Sequence, residues 1–142
     1  MPKKIDLRES DSAFPTKLSV NQRNMHNECM VFNFSFLTKH KKYSLSKLEK
    51  DVYKALFHAV EKLSNEHITI ILNRPKEQGV EFIERLKHVI TPEEFIQTER
   101  EKECDDKFCV VRISKKGRLI GKLNGNLFYV LAVDTKFDLY DH

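Results

Sequence analysis

Several kinds of segment are missing from this chain of 142 residues, and each absence excludes a class of protein. No run of eighteen apolar residues is present, so the sequence offers no membrane-spanning helix. The first twenty residues mix charged and polar side chains and lack the apolar centre of a signal peptide. We therefore expect a cytoplasmic protein that has no membrane partner.

Short catalytic motifs are missing as well. The chain contains no G-x-x-x-x-G-K-[ST], no G-x-G-x-x-G, no H-E-x-x-H and no G-x-S-x-G. These absences argue against nucleotide hydrolysis, dinucleotide binding and the common hydrolase classes.

The chain contains few cysteines, and their spacing matches no paired-cysteine motif. Cys29, Cys104 and Cys109 are odd in number and contain no C-x-x-C pair, which favours reduced thiols over a disulfide framework. A zinc site could be drawn from these three and His26, but the spacing of the second pair is loose for a zinc ligand pair. We predict neither a metal nor a cofactor.

The composition that remains is that of an ordinary globular protein, 40% hydrophobic and 32% charged. The length fits one domain with a real core. Residues 1–28 show neither helical nor strand periodicity and predict an extended or poorly ordered arm. Residues 29–142 predict a single α+β domain.

Charge is distributed unevenly along the chain, whose net charge is +4. Acidic residues dominate from Glu77 to Asp106. Basic residues form two runs, Lys39-His40-Lys41-Lys42 and the set Lys107, Arg112, Lys115, Lys116, Arg118 and Lys122. This pattern suits one face turned to an anionic partner, although a charge run is more often a solvated face.

Apolar periodicity predicts the elements of the first two thirds of the chain. Alternating phenylalanines predict a half-buried strand near 30–37. Ser46 and Glu49 form a capping-box pattern ahead of an amphipathic helix that reaches Leu63. Further on, the pattern predicts a strand at 68–72, a helix at 79–90 and a short helix that Thr91 caps, with Pro92 at its first position.

The last third predicts a three-stranded antiparallel meander, with strands at 108–114, 118–123 and 127–134. Asn124-Gly125 is a strong hairpin signal and Lys116-Gly117 a weaker one. The last strand is apolar on both faces, which predicts a place inside the sheet. Counting through two-residue turns places Arg112 opposite Gly121 and Gly121 opposite Phe128, unless Gly121 marks a bulge.

These elements together predict an antiparallel sheet, made of the meander plus strands near 30–37 and 68–72. Two to three helices would pack mainly on one face of that sheet.

Two stretches of this chain, 30–64 and 108–142, resemble a poorly characterised family of small bacterial proteins associated with mobile elements. The layout is similar to that of RelE/HigB-type ribonuclease toxins, and about 70 residues carry the resemblance. The matching positions are Val31, Phe32, Phe34, Leu37, Tyr43-Ser44-Leu45, Gly117-Arg118, Ile120-Gly121, Asn126, Phe128-Tyr129, Asp134 and Leu139-Tyr140.

The resemblance implies an α+β fold and RNA as the substrate, cleaved without metal by attack of a ribose 2′-hydroxyl on its neighbouring phosphate. Arg112, Arg118 and Lys122 would stabilise the charge on phosphorus, and Tyr140 or His142 would handle protons. The two basic runs supply the predicted RNA contacts, which are Lys39, Lys41, Lys42, Lys107, Lys115 and Lys116. The chain departs from the family pattern at Thr135 and Phe137, where the family has proline and histidine, and this departure counts against catalysis.

Two functional hypotheses follow. The first is a toxin-type protein directed at RNA or the ribosome, acting as a metal-independent endoribonuclease and paired with a cognate antitoxin. The second is a non-catalytic interaction or sensor module of a mobile-element or phage-defence system, which binds a neighbour-encoded protein. The terminal His142 is also consistent with a frayed chain end that has no function.

Overall fold

A computed structural model describes residues 28–141 of the chain. Within this range lie five strands, three α-helices and one 3₁₀ turn, so the predicted α+β class is confirmed. The strands are β1 (Val31–Asn33), β2 (Val80–Ile83), β3 (Phe108–Ser114), β4 (Gly117–Asn124) and β5 (Leu127–Asp134). The helices are α1 (Lys50–Ser64), α2 (Ile68–Leu72) and α3 (Glu93–Gln97), and the 3₁₀ turn is Glu101–Glu103.

The strands form one sheet in the order β1-β5-β4-β3-β2. Neighbouring strands are antiparallel except at one edge, where β1 runs parallel to β5 and Val31 pairs with Leu127. The sheet is therefore mixed, whereas the sequence predicts antiparallel pairing throughout. A parallel pair needs a long crossover connection, and the whole chain between β1 and β5 supplies it.

The C-terminal meander forms as predicted, with strand bounds that match for β3 and β5 and differ by one residue at each end of β4. Each connecting turn is displaced by one residue from its predicted place, to Lys115-Lys116 and Gly125-Asn126. Gly125 has a φ of 61°, and a positive φ at the first turn residue alone is the pattern of a type II′ turn.

The predicted register across the meander is wrong. Arg112 pairs with Arg118, and Gly121 pairs with Cys109 on one side and Val130 on the other. The physical reason is the displacement of both turns, together with an irregularity between Arg112 and Ser114 in β3. A β-bulge does occur at Ile120/Gly121, the alternative that the glycine left open, but it shifts the pairing of Ile120 and the residues before it.

Two predicted elements have the wrong type. Residues 68–72 form helix α2 instead of a strand, because Ile68 and Ile71, three residues apart, are both buried on one side of a single turn. The predicted helix at 79–90 is instead strand β2 and a following loop. Exposed Val89 shows that the apolar period there does not reflect a buried helix face. Residues 30–37 yield only the three-residue β1.

The predicted helix starts also shift. Helix α1 begins at Lys50, so Glu49 rather than Ser46 is its N-cap residue, and no side chain caps it. Ser46 lies outside the helix and hydrogen-bonds to Ser44. The buried stripe of α1 matches the prediction at Val52, Leu56 and Leu63. In α3, Pro92 rather than Thr91 is the N-cap residue.

The core has two parts, one on each face of the sheet. The first contains buried residues of α1 and α2, such as Leu56 and Ile71, packed with Val111 and Val130. The second contains Phe95 of α3 with Tyr43, Leu131 and Leu139. The helices are therefore divided between the two parts and do not share one face. Strand β5 is buried from Phe128 to Asp134, which confirms its predicted place inside the sheet.

Candidate nucleic-acid interface

A concave surface with a volume of about 590 Å³ lies where the segment before α1, the β3–β4 turn and the turn after β5 meet. Six of its lining residues are lysines, and two are carboxylates of the α1 start, Glu49 and Asp51. We call this surface the lysine groove; its lysines are Lys41, Lys42, Lys47, Lys115, Lys116 and Lys136. The two basic runs of the sequence therefore meet in space.

The β3–β4 turn presents Lys115 and Lys116 at the rim of the groove. Two-residue turns leave both central side chains pointing away from the strands that they join, and both lysines are exposed. The hydroxyl of Ser114 accepts a hydrogen bond from the Lys116 backbone N–H at 2.9 Å, which fixes the turn. This hydrogen bond within the turn thus stabilises one wall of the groove.

The segment before α1 is fastened to β5. The Thr38 N–H donates to the Leu131 carbonyl at 2.7 Å, and the Val133 N–H donates to the Tyr43 carbonyl at 2.8 Å. The fully buried Tyr43 donates its hydroxyl to Asp138 at 2.9 Å. These bonds place Lys41 and Lys42 beside the turn that follows β5.

Asp138 joins the same two segments through charge. It forms an ion pair with Lys42, and this hydrogen-bonded ammonium, followed by the Tyr43 hydroxyl, lowers the pKa of Asp138. The pKa of Tyr43 is raised, first by burial and then by its bond to Asp138. The charged carboxylate of Asp138 therefore accepts hydrogen bonds from two donors, the Lys42 ammonium and the Tyr43 hydroxyl.

The turn after β5 is organised by a second aspartate, Asp134, which is fully buried. Its carboxylate accepts backbone N–H bonds from Lys136 at 3.1 Å, Phe137 at 2.9 Å and Leu139 at 3.1 Å. Phe137 takes a φ of 58°, a conformation that a bulky residue adopts only when its surroundings impose it. Lys136 is consequently displayed on a rigid turn.

Two of the groove lysines are engaged by carboxylates: Lys116 with Asp51 and Lys42 with Asp138. Among residues 28–141, the other four have no carboxylate within ion-pair distance. These four are Lys41, Lys47, Lys115 and Lys136, and all of them are exposed. Ammonium groups in this state are the ones that an incoming anion can engage without breaking an existing ion pair.

The structure brings two of the predicted catalytic residues together, but in the interior. Arg118 is 5% exposed, and its guanidinium carbon lies 4.5 Å from the ring centre of Phe137 and 4.8 Å from that of Tyr140. Tyr140 is also buried and donates its hydroxyl to Glu81 at 3.2 Å. Burial raises the pKa of Tyr140, while the charge of Arg118 lowers it.

The other predicted catalytic residues are dispersed. Arg112 lies opposite Arg118 but is exposed. Lys122 is buried, with its ammonium over the Phe108 ring, and donates to the Asp105 carbonyl at 3.2 Å and the Asp106 carbonyl at 2.5 Å. It is therefore tied to the acidic middle of the chain, whereas His142 lies outside the described residues.

Of the six predicted RNA contacts, four line the groove: Lys41, Lys42, Lys115 and Lys116. Lys39 instead pairs with Glu94 at 3.3 Å, and Lys107 precedes β3, at the end of that strand opposite Lys115. Sequence reasoning missed Lys47 and Lys136. Lys47 lies close to the basic run that ends at Lys42, so the sequence could have pointed to it. Lys136 could not be found in this way, because it joins the groove only through the turn that Asp134 shapes.

No three His, Cys, Asp or Glu side chains between residues 28 and 141 are grouped so that they could hold a metal ion. His26, one residue of the zinc set that could be drawn, lies outside that range. Cys29, Cys104 and Cys109 are free thiols, and burial raises the pKa of Cys104 to about 11. None of the helices in this part of the chain has both the length and the apolar character needed to cross a bilayer.

Comparison of the chain with protein-family models, curated proteins and solved structures finds no match. The resemblance to ribonuclease toxins therefore stays a prediction.

Proposed function

We propose that this protein binds RNA and that the lysine groove holds the sugar-phosphate backbone. The observation that carries the proposal is the convergence of six lysines, from three separate segments of the chain, around one concavity. Lysine ammonium groups bind phosphates as point charges, and the counterions that they release from the nucleic acid drive association.

We expect the affinity to depend little on the base sequence of the RNA. Contacts to phosphates position a nucleic acid but do not read its bases. The four lysines without a carboxylate partner would each neutralise one phosphate. For single-stranded RNA this gives a slope of roughly −3 in a plot of log affinity against log salt concentration, at about −0.7 per phosphate.

The proposal is for binding and does not assign cleavage to the predicted catalytic set. A group that stabilises a five-coordinate phosphorus must lie within hydrogen-bond distance of it. Arg118 and Tyr140 are buried against one another, and a rearrangement of the last turn would have to expose them. Endoribonuclease activity of the toxin type is thus a separate and more specific proposal, which gel analysis of the RNA can test.

The test uses fluorescence anisotropy of a labelled single-stranded RNA across a series of salt concentrations. We expect Lys115→Gln combined with Lys136→Gln to weaken binding by roughly tenfold or more and to reduce the salt slope by about 1.4. The matched control, Lys54→Gln with Lys62→Gln, removes two exposed charges from α1 outside the groove and should bind like the wild type. Equal losses in both double variants, or no binding by the wild type, would refute the proposal.

Gel analysis of the same RNA after incubation, with a chelator present, reports on cleavage. Intact RNA at saturating protein identifies a binding protein. Fragments that disappear in the Tyr140→Phe variant would instead support the endoribonuclease.

A second candidate is the non-catalytic interaction module, which an apolar surface on α1 favours. Phe57 is 63% exposed and lines a shallow concavity together with Leu48 and Tyr53. Large apolar side chains at such positions are typical of protein contacts. Co-expression with a neighbour-encoded protein tests this candidate: a stable complex that Phe57→Asp abolishes, with unchanged RNA affinity, would support it.

A further inference from the structure

Asp51 occupies an unusual position for a residue of an anion-binding surface. It lies in the first turn of α1, lines the lysine groove and pairs with Lys116 of the β3–β4 turn. Both side chains are about half exposed. A carboxylate is therefore bound to one of the ammonium groups that the phosphate backbone would need.

The ion pair is one that an incoming phosphate can open. Pairs between exposed side chains contribute little to the stability of a protein, because water screens the attraction and holding two long side chains costs entropy. A phosphate offers Lys116 the same charge-assisted hydrogen bond. The carboxylate would, however, remain close to the RNA and repel it.

The other ion pair of the groove is built differently. Asp138 holds Lys42 and also accepts the hydroxyl of the buried Tyr43, so its position is fixed from two sides. This pair joins the segment before α1 to the last turn and is part of the scaffold. The pair of Asp51 and Lys116 instead joins two exposed residues that both line the groove.

We infer that Asp51 is an internal competitor for the RNA phosphates, which holds Lys116 in the free protein and releases it on binding. This inference rests on the proposed function of the groove. Its consequence is selectivity for polyanions. A chain of phosphates that engages several lysines at once displaces the carboxylate, whereas a single nucleotide, which offers one phosphate group, does not.

The experiment compares the RNA affinity of Asp51→Asn with that of Glu94→Gln. Each substitution removes one negative charge and frees one exposed lysine, but the Lys39–Glu94 pair lies outside the groove. We expect Asp51→Asn to bind single-stranded RNA about fivefold more tightly than the wild type and to show a steeper salt slope, by about 0.7. Glu94→Gln should stay close to the wild type.

A double variant assigns the gain to Lys116. If Asp51 acts by holding that ammonium, Asp51→Asn combined with Lys116→Gln loses most of the gain, and its affinity relative to Lys116→Gln alone changes little. Thermal unfolding of each variant establishes that the fold is kept. A wild type that binds RNA while Asp51→Asn shows no gain, or a gain equal to that of Glu94→Gln, overturns the competitor role and leaves the proposed function standing. Absence of RNA binding by all the variants would overturn both.

Discussion

Asp134 shows how one buried side chain shapes the surface that surrounds it. Its carboxylate accepts three backbone N–H groups of the last turn and thereby fixes the place of Lys136 in the groove. The sequence shows only an aspartate after an apolar strand. The fact that this carboxylate is buried depends on the tertiary fold, so its role could not be predicted from its neighbours.

The first prediction concerns this carboxylate. Asp134→Ala should lower the free energy of unfolding by roughly 3 kcal/mol, because it leaves three backbone donors without their acceptor. Asp134→Asn should cost less, since one acceptor oxygen remains. Urea unfolding measures both variants. Equal stability of the alanine variant and the wild type would show that water replaces the carboxylate at no cost.

The second prediction concerns Gly121 at the β-bulge. A Cβ atom at this position would lie 1.8 Å from the Tyr129 carbonyl oxygen and 2.7 Å from the ring of Phe128. We expect Gly121→Ala to destabilise the fold by roughly 3 kcal/mol, because strand β5 must move to relieve the clash.

Gly117→Ala is the matched control for Gly121→Ala. Its Cβ would lie no closer than 3.3 Å to another atom, and that atom is the end of the Ile113 side chain. Its thermal midpoint should stay within a few degrees of that of the wild type, at about 1 kcal/mol or less. Similar losses in the two variants would mean that the close approach of β5 to Gly121 is not what stabilises the sheet.

At the scale of elements, the segment 38–47 has little regular structure, yet it forms one wall of the groove. Its attachment to the last turn depends in part on the charge of Asp138, whose pKa is lowered in the folded protein. A lowered pKa means that this carboxylate stabilises the fold at pH values above the ordinary aspartate pKa, near 4. The contribution is lost as the pH falls through the lower folded value.

The third prediction follows from this pH dependence. At neutral pH the wild type should be more stable than Asp138→Asn, and the difference between them should shrink below about pH 4, as Asp138 becomes protonated. Urea unfolding of the two proteins between neutral and acidic pH measures that difference. A difference that is constant across the range would show that the charge of Asp138 does not contribute.

The elements also show where sequence patterns succeed and where they fail. Strands β3 and β5 were predictable because hairpin signals and continuous apolar runs are local features. Residues 68–72 and 80–83 were assigned the wrong type because short apolar stretches fit either structure, and tertiary contacts decide between them. Helix α2 buries Ile68 and Ile71, while β2 completes the pairing of β3.

At the scale of the whole molecule, the two basic runs were visible in the sequence, but their meeting was not. Lys41 and Lys115 are far apart in the chain, and only the docking of segment 38–47 and the place of β3 in the sheet bring them to one groove. Only part of the predicted set therefore lies in the groove. Four of the six predicted RNA contacts line the groove, while Lys39 and Lys107 lie elsewhere.

The fourth prediction separates the groove from the charge runs of the sequence. Lys136→Gln should weaken RNA binding, because this lysine lines the groove and has no carboxylate partner among the described residues. Lys107→Gln removes the same charge from the opposite end of β3 and should leave the affinity unchanged. Electrophoretic mobility shifts at one salt concentration compare the two. A stronger effect of Lys107→Gln would move the binding surface to that end of the strand.

The position of β5 in the sheet has a consequence for biosynthesis. This strand lies between β4 and β1, and its two faces supply both parts of the core. Since it follows the other four described strands in the chain, neither part of the core can close while residues up to Asp134 are still inside the ribosome. The parallel partner β1 precedes the other four described strands, so the two paired strands are far apart in the sequence, a separation typical of slow folding. Nascent chains of this protein are therefore expected to depend on chaperones until β5 has left the ribosome.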